Sequence, residues 1–123
     1  MAGQRILVVD DEILIALDTQ DALVGAGYTV VGPVAKLSDA LQLAVSEPLD
    51  AALLDVSLDG VLIWPVAQAL HQRGIPFVLV TGFGRGLDMP GFCCNVPVLE
   101  KPVRRAALLA QVTALFSSGR PQG

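Results

Sequence analysis

The chain of 123 residues is 53% apolar and 16% charged, enough for one packed core and too short for a second domain of ordinary size. Twelve acids against eight bases give a formal charge of -4, and the bases are scattered apart from Arg104-Arg105, which argues against nucleic acid as a partner. No apolar run approaches the ~20 residues of a membrane span, and residues 1–5 carry neither a long apolar stretch nor a small-residue cleavage site, so a cytoplasmic location without membrane insertion is expected.

Short apolar runs alternate with longer segments of helical character, the pattern of strand-helix units laid into a parallel sheet. Strands are predicted over residues 5–9, 28–31, 51–54, 77–80 and 98–99. The runs Ile6-Leu7-Val8-Val9 and Leu53-Leu54 lack polar alternation, as expected where helices cover both faces. The first helix is predicted over 13–26, with Leu14, Leu17 and Val24 on one apolar stripe and Gly27 closing it in a left-handed conformation. A second starts at Ser38, whose hydroxyl suits a cap; it stops before Pro48 and buries Ala40, Leu41, Ala44 and Val45. A third begins around Trp64-Pro65 and closes at Gly74. Residues 82–96 hold four glycines and Pro90, which argues against a regular fourth helix there and predicts a mobile loop or short turn. The last helix follows Pro102 with Leu108, Val112 and Leu115 inward, and residues 117–123, which offer no core residue, are expected to be a disordered tail.

Four of the apolar runs end on groups suited to phosphate chemistry: Asp10-Asp11, Asp55, Thr81 and Lys101. If the runs are neighbouring parallel strands, their carboxyl ends form one rim where three carboxylates, a hydroxyl and an ammonium converge. An acid pair facing a third acid suits Mg2+, a hard cation that prefers carboxylate oxygens and retained water. Crowded carboxylates bind protons more tightly and a divalent cation reverses this, so Asp55 would stay ionised and able to attack phosphorus. Lys101 offers an ammonium and Thr81 a hydroxyl to the phosphoryl oxygens, with Gly82 leaving room above.

Together, Asp10-Asp11, Asp55 in Asp55-Val56-Ser57-Leu58-Asp59-Gly60, Thr81 and Lys101-Pro102 resemble the receiver domain of two-component response regulators, over residues 4–116. The resemblance implies an α/β fold, a doubly wound five-stranded parallel sheet of flavodoxin-like order 2-1-3-4-5 with the site at its carboxyl rim. It implies that Asp55 accepts a phosphoryl group from a sensor histidine kinase or phosphotransfer protein. Asp11, Asp55 and the main-chain carbonyl of Ser57 would hold Mg2+, with Asp10 acting through water. Lys101 would contact the phosphoryl group, Thr81 would move toward it, and the bond before Pro102 would be cis.

Receivers usually carry an aromatic three residues before the lysine, and here that position is Val98, so coupling of Thr81 to an aromatic cannot run through it. The segment from Pro76 to Gly84 is similar to a subfamily of stand-alone receivers with Pro-Phe-x-Phe-Ala-Thr-Gly, from which Leu79 and Val80 depart; its fourth helix is often weak or replaced by a loop. Phosphorylation is then expected to pull Thr81 and reorder residues 82–96, with Phe83 as the reporting aromatic.

Other polar and apolar residues take plainer readings. Glu12 and Asp59 are read as solvated, His71 as a surface residue and Arg104-Arg105 as a solvated helix face or a kinase-docking element. Trp64 is read as packing, or with Leu62-Ile63 as a partner-facing patch, and Val98 and Leu99 as core. Adjacent Cys93 and Cys94 close almost no loop and are read as free thiols. The expected protein is a single-domain response regulator, a monomer or weak dimer acting through protein contacts as a shuttle, sink or switch. Its phosphorylation and dephosphorylation would be self-catalysed, so it is not read as an enzyme. Two alternatives stand beside this: an interaction domain independent of phosphorylation, and a Mg2+ phosphohydrolase with Asp10 as nucleophile and Glu12 as its second acid.

Overall fold

Strand β1 (Arg5–Val9) sends Ile6 and Val8 to one side of the sheet and Leu7 and Val9 to the other, and all four are buried. A strand covered on both faces has no place for polar alternation, which is why this run reads as continuously apolar. The computed structural model describes residues 3–82, 89–93 and 95–118. After β1 come α1 (Ile13–Gly25), β2 (Thr29–Val34), α2 (Leu37–Ser46) and β3 (Ala51–Asp55). A small antiparallel hairpin, β4 (Ser57–Leu58) and β5 (Val61–Leu62), precedes α3 (Trp64–Gln72), β6 (Phe77–Thr81), β7 (Val98–Glu100) and α4 (Arg105–Ser118).

The five long strands pair in parallel in the order β2-β1-β3-β6-β7. With the hairpin set aside, this is the doubly wound, flavodoxin-like order expected from the sequence. Helices α2 and α3 cover the face that carries Leu7, Val9, Leu54 and Leu79. The other face, with Ile6, Val8, Leu53 and Val78, is covered by α1 and α4, whose Leu108 and Val112 point inward as expected while Leu115 packs at the margin. Between β6 and β7 the described residues form a single 3-10 turn, Gly91–Cys93. Residues 83–88 and Cys94 lie outside the described set, and with them the expected role of Phe83.

Several packing expectations are corrected. On α1, Leu14 is 79% exposed and Leu17 and Val24 also face solvent, while Ala16, Ala22 and Leu23 are buried, the last two in the cluster against the sheet. Ile13-Leu14-Ile15-Ala16-Leu17 is apolar all round, so periodicity could not choose its inner face. Helix α2 starts one residue early, with Lys36 in the cap position and no side-chain cap, so Ser38 lies inside the first turn. Ala40 and Ala44 are buried and Leu41 partly so, but Val45 is exposed. Val98, on the edge strand β7, is also exposed, and only Leu99 of that pair packs against the core.

Strand β2 runs three residues beyond its expected end at Val31. It does so through Gly32 at φ +97, where a Cβ would lie 2.9 Å from Val34 N and 3.1 Å from Val8 O, so only glycine fits the kink. The β1–β2 register shifts at this point. Gly74 closes α3 at φ 73 as expected, and Arg73 beside it donates to the carbonyls of Ala44 (2.5 Å) and Glu47 (2.9 Å), satisfying the free end of α2. Helix α4 continues through Ser118, and residues 119–123 of the expected tail lie outside the described set.

Candidate functional site

Asp10 directly follows β1, and its N–H donates to Val34 O at the end of β2 (3.0 Å). The kink at Gly32 thus delivers the carbonyl that fixes the Asp10 backbone. Its carboxylate Oδ1 accepts the N–H of Glu12 (2.9 Å), turning the chain into α1. Asp55 ends β3 and is 5% exposed, and Thr81 ends β6 and is 1% exposed. Lys101 follows β7, with its N–H donating to Thr81 O (2.9 Å). The peptide bond before Pro102 is cis, as the resemblance implied, and so is the unanticipated one before Pro33.

The parallel register therefore brings the sequence-predicted groups to one rim. Carboxylate oxygens of Asp10, Asp11 and Asp55 come within 4.8 Å of one another. Lys101 Nζ lies 2.9 Å from Asp55 Oδ2 and 3.9 Å from Asp10 Oδ1. The N–H of Ser57 lies 3.4 Å from Asp55 Oδ1, placing that residue beside the same carboxylate.

Two participants escaped the sequence reading. Glu12, read there as solvated, reaches Lys101 Nζ at 2.9 Å while its side chain stays 56% exposed. Its signal was position, as the third of three consecutive acids on a loop that faces a lysine. Asp59 contributes its backbone: its N–H donates to Asp11 Oδ2 (2.7 Å) and orients that carboxylate. Asp59 at φ 52 and Gly60 at φ 88 form the two-residue turn of the β4–β5 hairpin, and Asp-Gly is a strong sequence signal for such a turn.

Burial governs the electrostatics. It raises the Asp55 carboxyl to about 6, against the opposing hydrogen bond from Lys101. Asp10 is raised by the same desolvation, opposed by the Glu12 N–H and by Lys101. Lys101 is lowered by its own burial, yet its bonds to Asp55 and Glu12 outweigh this and raise it overall. One ammonium shared between two carboxylates cannot fully offset the desolvation of either.

The clustered oxygens, with the proton affinity of two of the three acids already raised, form the donor set that a hard divalent cation satisfies, so the cluster can hold a metal ion. Beside it, a cavity of about 240 Å³ opens between α1 and the β7–α4 connection, walled by Leu14, Ile15, Val103 and Leu108 and reaching Asp55 and Lys101. Across its outer edge Arg105 bridges Asp18 (2.9 Å) and Asp21 (3.2 Å) of α1, in keeping with a solvated helix face. His71 is exposed and stacks on Phe92, with centroids 5.0 Å apart, and Trp64 packs against the core at the start of α3. Cys93 is fully buried.

No protein-family model matches the sequence. The chain is 31% identical over 85 residues to the transcriptional regulatory protein PdtaR of Mycobacterium tuberculosis, an alignment covering 67% of this chain and 40% of that protein. The chain therefore spans well under half the length of this curated relative. Among solved structures, SdrG from Sphingomonas melonis Fr1 is 38% identical, with 94% of this chain and 98% of that one covered at a TM-score of 0.80. A CheY-like response regulator receiver domain protein from Methanospirillum hungatei JF-1 is 25% identical, with 99% and 100% covered at a TM-score of 0.83. No helix among the described residues is long and apolar enough to cross a membrane. With likeness of this extent running the full length of such domains, and an acid rim and lysine gathered at the ends of its parallel strands, the chain belongs to the CheY-like response regulator receiver domains.

Proposed function

We propose that Asp55 accepts a phosphoryl group from the phosphohistidine of a sensor histidine kinase or phosphotransfer protein, and that the phosphorylated domain switches its protein contacts as a cytoplasmic response regulator receiver. The observation that carries this reading is the Lys101 ammonium 2.9 Å from the buried Asp55 carboxylate, in a rim shared with Asp10 and Asp11. In the transfer, an Asp55 oxygen bonds to phosphorus as the bond from phosphorus to the donor imidazole nitrogen breaks, the electron pair leaving with the imidazole.

Asp11, Asp55 and the main-chain carbonyl of Ser57 would hold Mg2+, with Asp10 acting through water. When bound, the cation supplies positive charge that keeps Asp55 ionised and neutralises phosphoryl oxygens. Lys101 donates to the transferring group from its other side, and Thr81, at the end of the neighbouring strand, offers its hydroxyl to a further oxygen. Asp59 holds Asp11 through its backbone N–H. Glu12 bonds to Lys101, which disfavours the phosphohydrolase reading that needs it as a free acid.

The test is Mg2+-dependent incorporation of acid-stable, base-labile phosphate from acetyl phosphate or a histidine kinase. Label on the wild type and none on Asp55→Asn is the expected result. A wild type that takes up no label from either donor at saturating Mg2+ would refute the proposal and favour an interaction domain independent of phosphorylation.

A further inference from the structure

We infer that Glu12 is a positioning residue that slows phosphoryl capture at Asp55 by holding the Lys101 ammonium away from the incoming group. The inference rests on the phosphoacceptor reading and assigns a residue which that reading leaves without a role.

Lys101 Nζ has three N–H donors. In this state two short contacts occupy it, to Glu12 Oε1 and Asp55 Oδ2 at 2.9 Å each, with Asp10 Oδ1 at 3.9 Å. The two short partners differ in kind. Asp55 is buried and is the atom to be modified, whereas Glu12 stands at the mouth of the site, 56% exposed, on the first residue after the acid pair. A phosphoryl group arriving at Asp55 brings anionic oxygens that need the ammonium. Glu12 competes for the same donors, and its own charge repels the arriving anion from a few ångströms away. Glu12 occupies the cap position of α1 without a side-chain capping bond, so its carboxylate is not committed to the amides of the first turn.

In capture from an acyl phosphate, the Asp55 oxygen bonds to phosphorus, the phosphorus–oxygen bond to the acyl group breaks, and the carboxylate departs with the electron pair. The transition state needs the full ammonium, so neutralising Glu12 accelerates it. Because Glu12 is largely exposed, the effect is a few-fold, and salt screens it.

The test follows acetyl phosphate labelling of wild type, Glu12→Gln and Glu12→Asp at saturating Mg2+, in about 20 mM and about 500 mM salt. Glu12→Gln keeps the length of the side chain and its accepting oxygen but loses the charge. It is expected to capture about threefold faster at low salt, with the gap closing at high salt. Glu12→Asp, which restores the charge, is expected to return the rate and its salt dependence toward wild type; a purely structural role for Glu12 would show no such salt-dependent gap. Equal labelling of wild type and Glu12→Gln at low salt overturns the inference and leaves the phosphoacceptor reading standing. Absence of label on all three proteins, from acetyl phosphate and from a histidine kinase alike, overturns both.

Discussion

At the scale of single residues, Asp55 stands out as an acid whose burial outweighs its lysine. Its carboxyl lies at about 6 in the folded protein, against 3.8 for an unperturbed aspartate. The folded state therefore binds the proton more tightly than the unfolded state. The stability this contributes is complete below about pH 4 and is lost as pH rises through about 6. Over roughly two units this amounts to at most about 3 kcal/mol in metal-free protein. Asp55→Asn removes the ionisation, so the variant should be more stable than wild type at pH 7.5 in a chelator, with the gap shrinking by pH 4.5. Urea unfolding at both values measures it, and a gap independent of pH would contradict the assignment. The residue was legible from a strand-like run ending on an acid, and so was a raised proton affinity among the crowded acids; that burial is its chief cause at Asp55 was not, because burial depends on side chains delivered from β1 and the β7–α4 connection.

At the scale of elements, strands were easier to read than helix faces. Five apolar runs bounded by turn residues gave strand positions that agree within one residue at most ends, since a strand buried on both sides leaves a continuous signal. Strand β2 is the exception, because Gly32-Pro33 looks like a terminator in sequence yet here carries the kink that lets Val34 hold Asp10. Helix α1 misled for the opposite reason: with apolar residues on every side of its first turn, its inner face was decided by fit against the sheet. That gives a direct contrast. Leu14, 79% exposed, should tolerate Leu14→Gln within about 0.5 kcal/mol. Leu23, fully buried, should lose roughly 2–5 kcal/mol as Leu23→Ala. Urea midpoints with unchanged slopes read both, and equal costs at the two positions would restore the sequence-based stripe.

At the scale of the molecule, the carboxyl rim is a place where the fold works against itself. Ordering the sheet as β2-β1-β3-β6-β7 forces the ends of β1 and β3 together, and with them three carboxylates whose oxygens lie within 4.8 Å. Two of the three are buried, and one ammonium serves them. A cation that binds the folded rim and not the unfolded chain stabilises the whole domain by mass action, about 2.7 kcal/mol at a hundredfold excess over its Kd. For a domain of this length that corresponds to a rise in Tm of roughly 10 °C. Thermal unfolding at pH 7.5 should therefore show a Mg2+-dependent rise that an equal ionic strength of KCl does not reproduce. With Asp55 in the proposed ligand set, the apparent affinity should fall about tenfold per pH unit below 6. Asp11→Asn should abolish most of the rise while keeping the metal-free Tm near wild type, since Asp11 shows no bond to Lys101 and meets the fold chiefly through the Asp59 N–H. A rise that persists undiminished in Asp11→Asn would place the cation elsewhere on this acidic surface and remove Asp11 from the proposed ligand set.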